Sequence, residues 1–423
     1  MTTTKNNEHK KLNFSNEQEQ SQACLNSAEH EKNQGRKVLN VPNLRFPEFK
    51  GEWEETKIGD IAIVVGGGTP DTNTSQYWNG KIQWFTPSEI GRNKYVYNSV
   101  RTISEDGLNK SSAKLLPIGT ILLSSRATVG ECSINKKECT TNQGFQSLIP
   151  KENISNEFVY YLIQTKRKDL IRKSCGSTFL EISANEVRKI VVSIPTIKEQ
   201  DKIAKLLSLL DERIATQNKI IEDLKKLKAA IIEIEYTPNT KTTSPIGDVI
   251  EQISKRNKNN AIKNVLSVSN RQGFIKQSDQ FENRNIASED TSNYKIVEQN
   301  DFAFNPARIN VGSIARLTTF EKGIVSPMYI CFRTQGNVVL EYIDYYFESK
   351  HFYCEIQKRL EGSVRQCLSF EGLCNIPLSL PSFEMQQLIG KRLFTLGQKI
   401  RMETDLLELL NKQKQYLLRQ MFI

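Results

Sequence analysis

Two short loops each place an arginine a few residues before a glycine, at residues 126–130 and 308–312. An arginine in such a loop offers a planar fork of N–H donors, which matches the two acceptors on the major-groove edge of guanine. Asparagine and glutamine side chains match adenine in the same way, and hydroxyls can bond either base. The candidate base-reading side chains are Arg126, Thr128, Asn142, Gln143, Arg308 and Asn310. The alternative for each arginine is a structural ion pair that closes its own loop.

A basic run lies at residues 255–258 and contains Lys255, Arg256 and Lys258. Such side chains are better suited to phosphates, which position a protein on nucleic acid without reading the sequence. The whole chain is basic as well, with 58 Lys and Arg against 48 Asp and Glu and a formal net charge of +10. This excess favours a polyanionic partner, with nucleic acid as the first candidate. A soluble protein that is merely basic is the alternative.

The motifs that would give the chain a catalytic site of its own are missing from the sequence. The segment Gly66-Gly67-Gly68-Thr69-Pro70 lacks the Lys and Ser/Thr of a phosphate-binding loop, and no Gly-x-Gly-x-x-Gly run opens a helix. Asn305-Pro306-Ala307-Arg308 resembles the Asn-Pro-Pro-aromatic motif of adenine methyltransferases, but it lacks the second proline and the aromatic residue. No cluster of carboxylates beside a lysine suggests metal-dependent cleavage. We therefore expect no catalytic residue, metal or cofactor in this chain.

Cysteine spacing and hydropathy indicate the cellular setting. The eight cysteines form no Cys-x-x-Cys pair and the three histidines are scattered, so we expect no zinc site and mostly buried, reduced thiols. No run of about 18 apolar residues could span a membrane, and no signal-peptide core follows the N-terminus. Residues 1–41 are polar and charged, and we expect them to be a disordered extension. The sequence thus predicts a cytoplasmic protein without a membrane partner.

Two segments of the chain repeat each other without a gap for more than forty residues. Pro381 follows Pro195 by 186 positions (381 − 195 = 186), and the same offset aligns the apolar residues that come after each proline. These apolar residues alternate four-residue and three-residue spacings, which predicts two long helices with a coiled-coil seam. The seam residues are Ile203, Leu207, Leu210, Ile214, Ile221 and Leu224 in the first copy, and Ile389, Leu393, Leu396, Ile400, Leu407 and Leu410 in the second. The alternative is that each helix packs only on its own domain.

Polar residues interrupt both seams at equivalent positions. Gln217 and Glu403 occupy one position, and Lys228 and Lys414 occupy another. Such residues cost stability but can determine register and partner choice.

A β-rich region precedes each predicted helix and begins with the same three residues, Ile58-Gly59-Asp60 and Ile246-Gly247-Asp248. Short alternating or apolar runs separated by Gly, Pro and Asn are typical of strands. The order is therefore domain, helix, domain, helix. The expected boundaries are 42–195 and 237–381 for the two domains, and 196–236 and 382–423 for the two helices.

Several motifs, in this order, resemble the specificity subunits of type I restriction–modification systems. They are the entry segment at residues 43–53, Gly67-Gly68-Thr69-Pro70, Asn142-Gln143-Gly144-Phe145, Glu199-Gln200 with Leu210-Asp211 in the first helix, and residues 305–314. The resemblance covers nearly everything from Asn43 to Ile423. The second helix departs from the family pattern, with Met385 and Gly397 at the positions of Glu199 and Asp211.

The resemblance implies an α/β (α+β) fold, with two β-rich target recognition domains separated by two long antiparallel coiled-coil helices in a pseudo-two-fold repeat. It implies a non-catalytic subunit that binds double-stranded DNA at a bipartite target, in a bacterial cytoplasm and at the nucleoid through DNA. Two modification subunits would methylate adenine with S-adenosylmethionine, and restriction subunits would use ATP and Mg²⁺ to translocate and cleave DNA. The alternative is a coiled-coil scaffold protein without sequence-specific DNA binding.

Exchanging residues 244–381 for the second domain of another member of this family should change only one half of the recognised DNA target, because each domain is predicted to read alone. Mapping the methylated sites of the chimera would check this. A change in both halves would contradict independent reading.

Overall fold

The computed structural model describes residues 40–176, 180–237, 243–270, 272–280, 290–362 and 366–423. Residues 1–39, which make up nearly all of the predicted N-terminal extension, lie outside this set. The chain divides into two compact units. The first unit comprises the residues up to Glu212 together with Asn411–Ile423, and the second comprises Arg213–Leu410.

The strands of the first unit are β1 (Glu54–Lys57), β2 (Ala62–Gly66), β3 (Trp78–Phe85), β4 (Tyr95–Val96), β5 (Arg101–Ile103), β6 (Ile121–Leu123), β7 (Cys132–Asn135), β8 (Cys139–Thr141), β9 (Gln146–Pro150) and β10 (Val191–Ile194). They form a five-stranded sheet in the order β2-β9-β6-β7-β4 and a three-stranded sheet in the order β5-β3-β8, while β1 pairs with β10. Its short helices are α1 (Ile58–Ile61), α2 (Glu105–Asn109), α3 (Asn156–Thr165), α4 (Arg167–Arg172) and α5 (Ala184–Arg188).

The strands of the second unit are β11 (Thr243–Pro245), β12 (Ile250–Ile253), β13 (Val265–Ser269), β14 (Gly273–Lys276), β15 (Lys295–Glu298), β16 (Phe302–Phe304), β17 (Ile314–Arg316), β18 (Lys322–Val325), β19 (Ile330–Thr334) and β20 (Pro377–Ser379). They form two four-stranded sheets, in the orders β12-β19-β16-β17 and β14-β13-β18-β15, while β11 pairs with β20. Its short helices are α7 (Gln277–Gln280), α8 (Leu340–Tyr346), α9 (Lys350–Gln357) and α10 (Phe370–Cys374).

The two long helices are α6 (Ile197–Glu235) and α11 (Phe383–Gln420). Each begins two residues after a proline. Because the residue before a proline disfavours the helical conformation, the helix does not extend further towards the N-terminus. The order β2-β9-β6-β7 of the first unit recurs as β12-β19-β16-β17 in the second, so the repeat read from the helices extends to the sheets. The predicted fold class is confirmed.

The first turn of each long helix is attached to its domain by the same glutamine. The Gln200 side-chain amide donates to the Pro195 carbonyl at 2.9 Å and accepts from the Ser155 amide at 3.0 Å. Gln386, its repeat equivalent, donates to the Pro381 carbonyl at 3.0 Å and accepts from the Val339 amide at 3.0 Å. In each copy, these bonds satisfy the carbonyl of the proline before the long helix and the backbone amide at the start of a short helix, α3 or α8.

The long helices run antiparallel in the second unit, where Gln217 lies beside Glu403 and Glu235 lies beside Arg392. The Gln217 amide donates to the Glu403 carbonyl oxygen at 2.9 Å and to its carboxylate at 2.5 Å. Gln217 and Glu403 are repeat equivalents, so the two long helices meet here at corresponding positions of the repeat.

None of the twelve predicted seam residues is exposed. Seven are buried and five are half-buried. The half-buried ones are Ile214, Leu224, Leu396, Ile400 and Leu407.

An aromatic residue at the end of each long helix completes a core. In the first unit, the Phe422 ring stacks on Phe158 at 5.2 Å between centroids and meets Trp53 edge-on at 6.3 Å. In the second unit, the Tyr236 ring packs on Tyr342 at 4.8 Å, and its hydroxyl donates to the Tyr342 carbonyl at 2.6 Å. Burial of a large ring removes much apolar surface from water, so each ring stabilises the core in which it lies. Each of these rings follows a long helix that begins in the other unit.

The thiols differ from expectation at several positions. Cys132, Cys139 and Cys331 are buried, and burial raises the pKa of each of these thiols to about 12. Cys175 and Cys354 are exposed, so the expectation of mostly buried thiols was wrong for these two. Within the described ranges, no helix is long and apolar enough to cross a membrane.

Phe422→Ala should lower the free energy of unfolding of the first unit by about 3–5 kcal/mol, because it removes a buried ring from between two aromatic neighbours. The chain's three tryptophans, Trp53, Trp78 and Trp84, all lie in the first unit, so tryptophan fluorescence during urea unfolding reports on that unit. The matched variant Tyr236→Ala removes the equivalent ring of the second unit and should leave the tryptophan transition in place. Equal shifts for both variants would contradict the assignment of each ring to its own core.

Candidate nucleic-acid interface

Three loops of the first unit meet at one end of its five-stranded sheet. Strands β2 and β6 both pair antiparallel with β9, so both end where β9 begins. The loops that follow β2 and β6 and the loop that precedes β9 therefore lie side by side. We call residues 67–70, 124–130 and 142–145 the first loop edge.

Close backbone packing joins two of these loops. The Gly68 amide donates to the Thr141 carbonyl at 2.8 Å, and the Trp84 indole donates to the Gly68 carbonyl at 2.9 Å. A Cβ on Gly67 would lie 2.0 Å from the Asn142 carbonyl oxygen, so only glycine fits there. The two sequence motifs that contain these glycines and Asn142 thus form one structure.

Two of the four candidate side chains of the first unit stabilise their own loops. The Asn142 side-chain oxygen accepts from the Gly144 amide at 2.9 Å, and the Thr128 and Ser124 hydroxyls are hydrogen bonded at 2.9 Å. Gln143 is exposed and accepts a hydrogen bond from the Thr69 hydroxyl.

Arg126 forms the ion pair that was the alternative to base reading. Its guanidinium lies 2.6 Å from the Glu181 carboxylate, and both side chains are exposed. An exposed pair leaves part of the guanidinium open to solvent, so the pair and a role in recognition are compatible.

Trp78 and Trp84 are buried and meet edge-to-face at 5.1 Å. The Arg101 guanidinium lies 3.6 Å above the Trp78 ring. These two rings support the first loop edge from within the unit and are closed to a DNA base.

The second unit has an equivalent edge. Strands β12 and β16 both pair antiparallel with β19, so the loops after them and the loop before β19 meet at one end of that sheet. We call residues 254–262, 305–313 and 326–329 the second loop edge. Arg308 is exposed there and forms no ion pair with any described residue, while Asn310 is half-buried.

Backbone hydrogen bonds show that the arginine loop is one residue longer in the second unit. The Ser125 carbonyl accepts from the Ile182 amide at 3.0 Å, and its counterpart is the Pro306 carbonyl, which accepts from the Leu368 amide at 3.1 Å. Arg126 directly follows Ser125, whereas Arg308 lies two residues after Pro306. Arg126 and Arg308 therefore differ in loop position by one residue, because the inserted residue shifts the second loop.

The basic run belongs to the second loop edge and is held by a buried asparagine. The Asn257 side chain is 1% exposed, donates to the Ile262 carbonyl at 2.9 Å and accepts from the Ile262 amide at 3.1 Å. Lys255, Arg256 and Lys258 are exposed around it. The Arg256 guanidinium donates to the Asn293 side chain at 2.8 Å.

An open depression of about 860 Å³ is lined by these basic residues and by Lys322. The Lys322 ammonium bonds the Glu298 carboxylate at 2.9 Å and holds the pKa of that carboxyl below its usual range. The depression carries four basic side chains, which suits an anionic group such as a phosphate. Sequence reading missed Lys322 because it is distant in the chain. Within the described ranges, no group of His, Cys, Asp and Glu could hold a metal ion.

The family model described as the type I restriction modification DNA specificity domain matches this chain twice, at residues 50–226 and 238–412. The chain therefore belongs to the type I restriction–modification DNA specificity family and contains two copies of its domain.

Two curated relatives carry specificity-subunit names. The type I restriction enzyme MjaIX specificity subunit of Methanocaldococcus jannaschii is 39% identical over 194 residues, which cover 44% of this chain and 45% of that protein. This chain thus spans about half the length of that relative. The type I restriction enzyme MjaVIII specificity subunit of the same organism is 23% identical over 409 residues, which cover 88% of this chain and 91% of that protein.

A solved structure has the same fold. The S subunit of a type I restriction–modification system from M. genitalium aligns with a TM-score of 0.57 at 16% identity, covering 90% of this chain and 99% of that one.

Gly67→Ala should lower the free energy of unfolding of the first unit by about 1–3 kcal/mol, because the new methyl group overlaps a backbone carbonyl that cannot move freely. The adjacent Gly66→Ala is the matched control, since the nearest atom to its new Cβ is a side-chain oxygen 3.7 Å away. Urea unfolding followed by tryptophan fluorescence would compare the two. Similar stability of both variants would show that the loops are not packed as described.

Proposed function

We propose that this chain gives DNA sequence specificity to a type I restriction–modification complex and does no chemistry itself. The observation that carries the proposal is that each copy of the specificity domain has one loop edge, with exposed arginine or amide side chains at the end of its main sheet. Each loop edge reads one half of a bipartite target in the major groove, where base edges carry a unique pattern of donors and acceptors.

In the first half, the side chains that read bases are Arg126 and Gln143, both of which are exposed, while Asn142 and Thr128 form hydrogen bonds within their own loops and shape them. In the second half, Arg308 and Asn310 take this role. Arginine is suited to guanine, and the amides are suited to adenine.

The depression in the second unit binds a DNA phosphate. Lys255, Arg256, Lys258 and Lys322 bring positive charge to it, and Glu298 offsets only part of that charge. Phosphate contacts position the domain on the duplex and make affinity dependent on salt. The corresponding loop after β2, residues 67–70, has two glycines and no basic residue, so the second unit contributes more of this electrostatic attachment.

The long helices bind two modification subunits and set the number of unread base pairs between the half-sites. Half-buried seam residues, Ile214, Leu396, Ile400 and Leu407, leave apolar surface that another helix could cover. At 39 residues, α6 is about 58 Å long, which is enough to span more than one turn of DNA. S-adenosylmethionine binds to the modification subunits, and ATP and Mg²⁺ bind to the restriction subunits.

Co-expression of this chain with a cognate modification subunit in a methylation-deficient bacterium should produce one bipartite motif of methylated adenines across the genome. The motif should disappear when this chain is omitted, because the partner has the chemistry but not the specificity. Genome-wide methylation mapping makes the measurement. A complex that forms but produces no new motif would contradict the proposal and favour a coiled-coil scaffold.

A further inference from the structure

Glu181 holds one particular edge of the Arg126 guanidinium. The same carboxylate oxygen, Oε2, accepts from Nε at 3.1 Å and from Nη2 at 2.6 Å. A guanidinium has five N–H groups in one plane, and these bonds occupy the side that carries Nε. The end of the fork, with both Nη1 donors and one Nη2 donor, stays open. Two parallel donors at that end match O6 and N7 of guanine.

The backbone determines where this carboxylate lies. Arg126 and Glu181 face each other across an antiparallel bridge, with the Ile182 amide donating to the Ser125 carbonyl at 3.0 Å. Glu181 is also paired with Cys175 by two backbone bonds of 2.9 Å each. The carboxylate is thus positioned by main-chain contacts on both sides, and it orients the arginine in turn.

The pair has little value for folding alone. The Arg126 and Glu181 side chains are 46% and 40% exposed, and exposed ion pairs contribute little to stability because water screens them. Ala127, the residue after the arginine, has φ of 63°, a left-handed conformation that alanine rarely adopts. Such strain concentrates where a particular backbone geometry is needed for function.

The second unit lacks this arrangement. Its corresponding backbone pair joins Glu361 to Cys367, so a cysteine stands at the repeat position of Glu181. The longer loop also moves Arg308 away from the position of Arg126. Arg308 has no carboxylate partner among the residues that the structure describes.

We propose that Glu181 is a positioning residue for recognition, which presents the open end of Arg126 to a guanine in the first half-site. This proposal rests on the function proposed above. It adds that the two half-sites are read with different stringency, since the first arginine is oriented by a carboxylate and the second is not.

The test is methylation mapping of the whole modification complex with wild-type chain, Glu181→Gln, Arg126→Ala and the exchanged pair Arg126→Glu with Glu181→Arg. Glu181→Gln should lower the preference for guanine about tenfold at one position of the first half-site. Arg126→Ala should relax the same position, and the second half-site should stay intact in both variants, which shows that the complex has folded.

The exchanged pair separates recognition from structure. It retains the ion pair but removes the guanine-reading donor, so the proposal expects the same position to stay relaxed. The matched control, Glu361→Gln, makes the same chemical change in the second unit, and it should leave both half-sites unchanged.

Three results would overturn the inference. Unchanged selectivity in Glu181→Gln, or full selectivity in the exchanged pair, would show that the pair is structural while the proposed function stands. A wild-type complex without any bipartite motif would instead refute the proposed function, and this inference with it.

Discussion

The burial of one aromatic ring at the end of each long helix is the interaction on which the rest of this structure depends. Phe422 lies between Trp53 and Phe158 in the first unit, and Tyr236 lies against Tyr342 in the second. Each ring arrives on a helix whose other end belongs to the other unit. Neither core is therefore made from one continuous segment, and folding of each domain is coupled to formation of a long helix.

This shared scaffold carries two domains that differ in detail. Glu199 at the start of α6 is buried and accepts from the Arg45 guanidinium with both carboxylate oxygens at 2.8 Å, which ties the entry segment to the first unit. Its counterpart Met385 is exposed. Asp211 bonds the Tyr161 hydroxyl at 2.7 Å, whereas Gly397 replaces it in the second copy. The departures seen in the sequence thus have a structural consequence, because Glu199 and Asp211 make polar contacts that Met385 and Gly397 cannot make.

The sequence predicts the elements whose signal is periodic. The seam from Ile203 to Leu224 repeats every seven residues, so its helix, its buried face and its copy 186 positions later can all be read directly. Gln217 and Glu403 were identified as equivalent seam positions, and the structure adds that they bond each other. Hydrophobic periodicity involves only residues that are near one another in the chain, so it can be read from a single sequence before the fold is known.

The contacts of the loop edges could not be predicted in the same way. Arg126 and Glu181 are 55 positions apart, and their contact depends on a backbone bridge that no local pattern signals. Lys322 joins the basic depression from a distant strand for the same reason. The extra residue before Arg308 is also invisible until hydrogen bonds align the two loops. The position of a loop side chain depends on residues that are distant in the sequence. Residue type alone therefore suggests a role but does not show where the side chain lies.

The central claim is that the two loop edges are the surfaces that meet DNA. Hydrogen–deuterium exchange of the modification complex, with and without a duplex that carries its mapped target, tests this directly. New protection is expected at residues 124–130, 142–145, 254–262 and 305–313, with little change of exchange at the opposite ends of the sheets. Protection confined to the long helices, with unchanged exchange at all four loops, would contradict it.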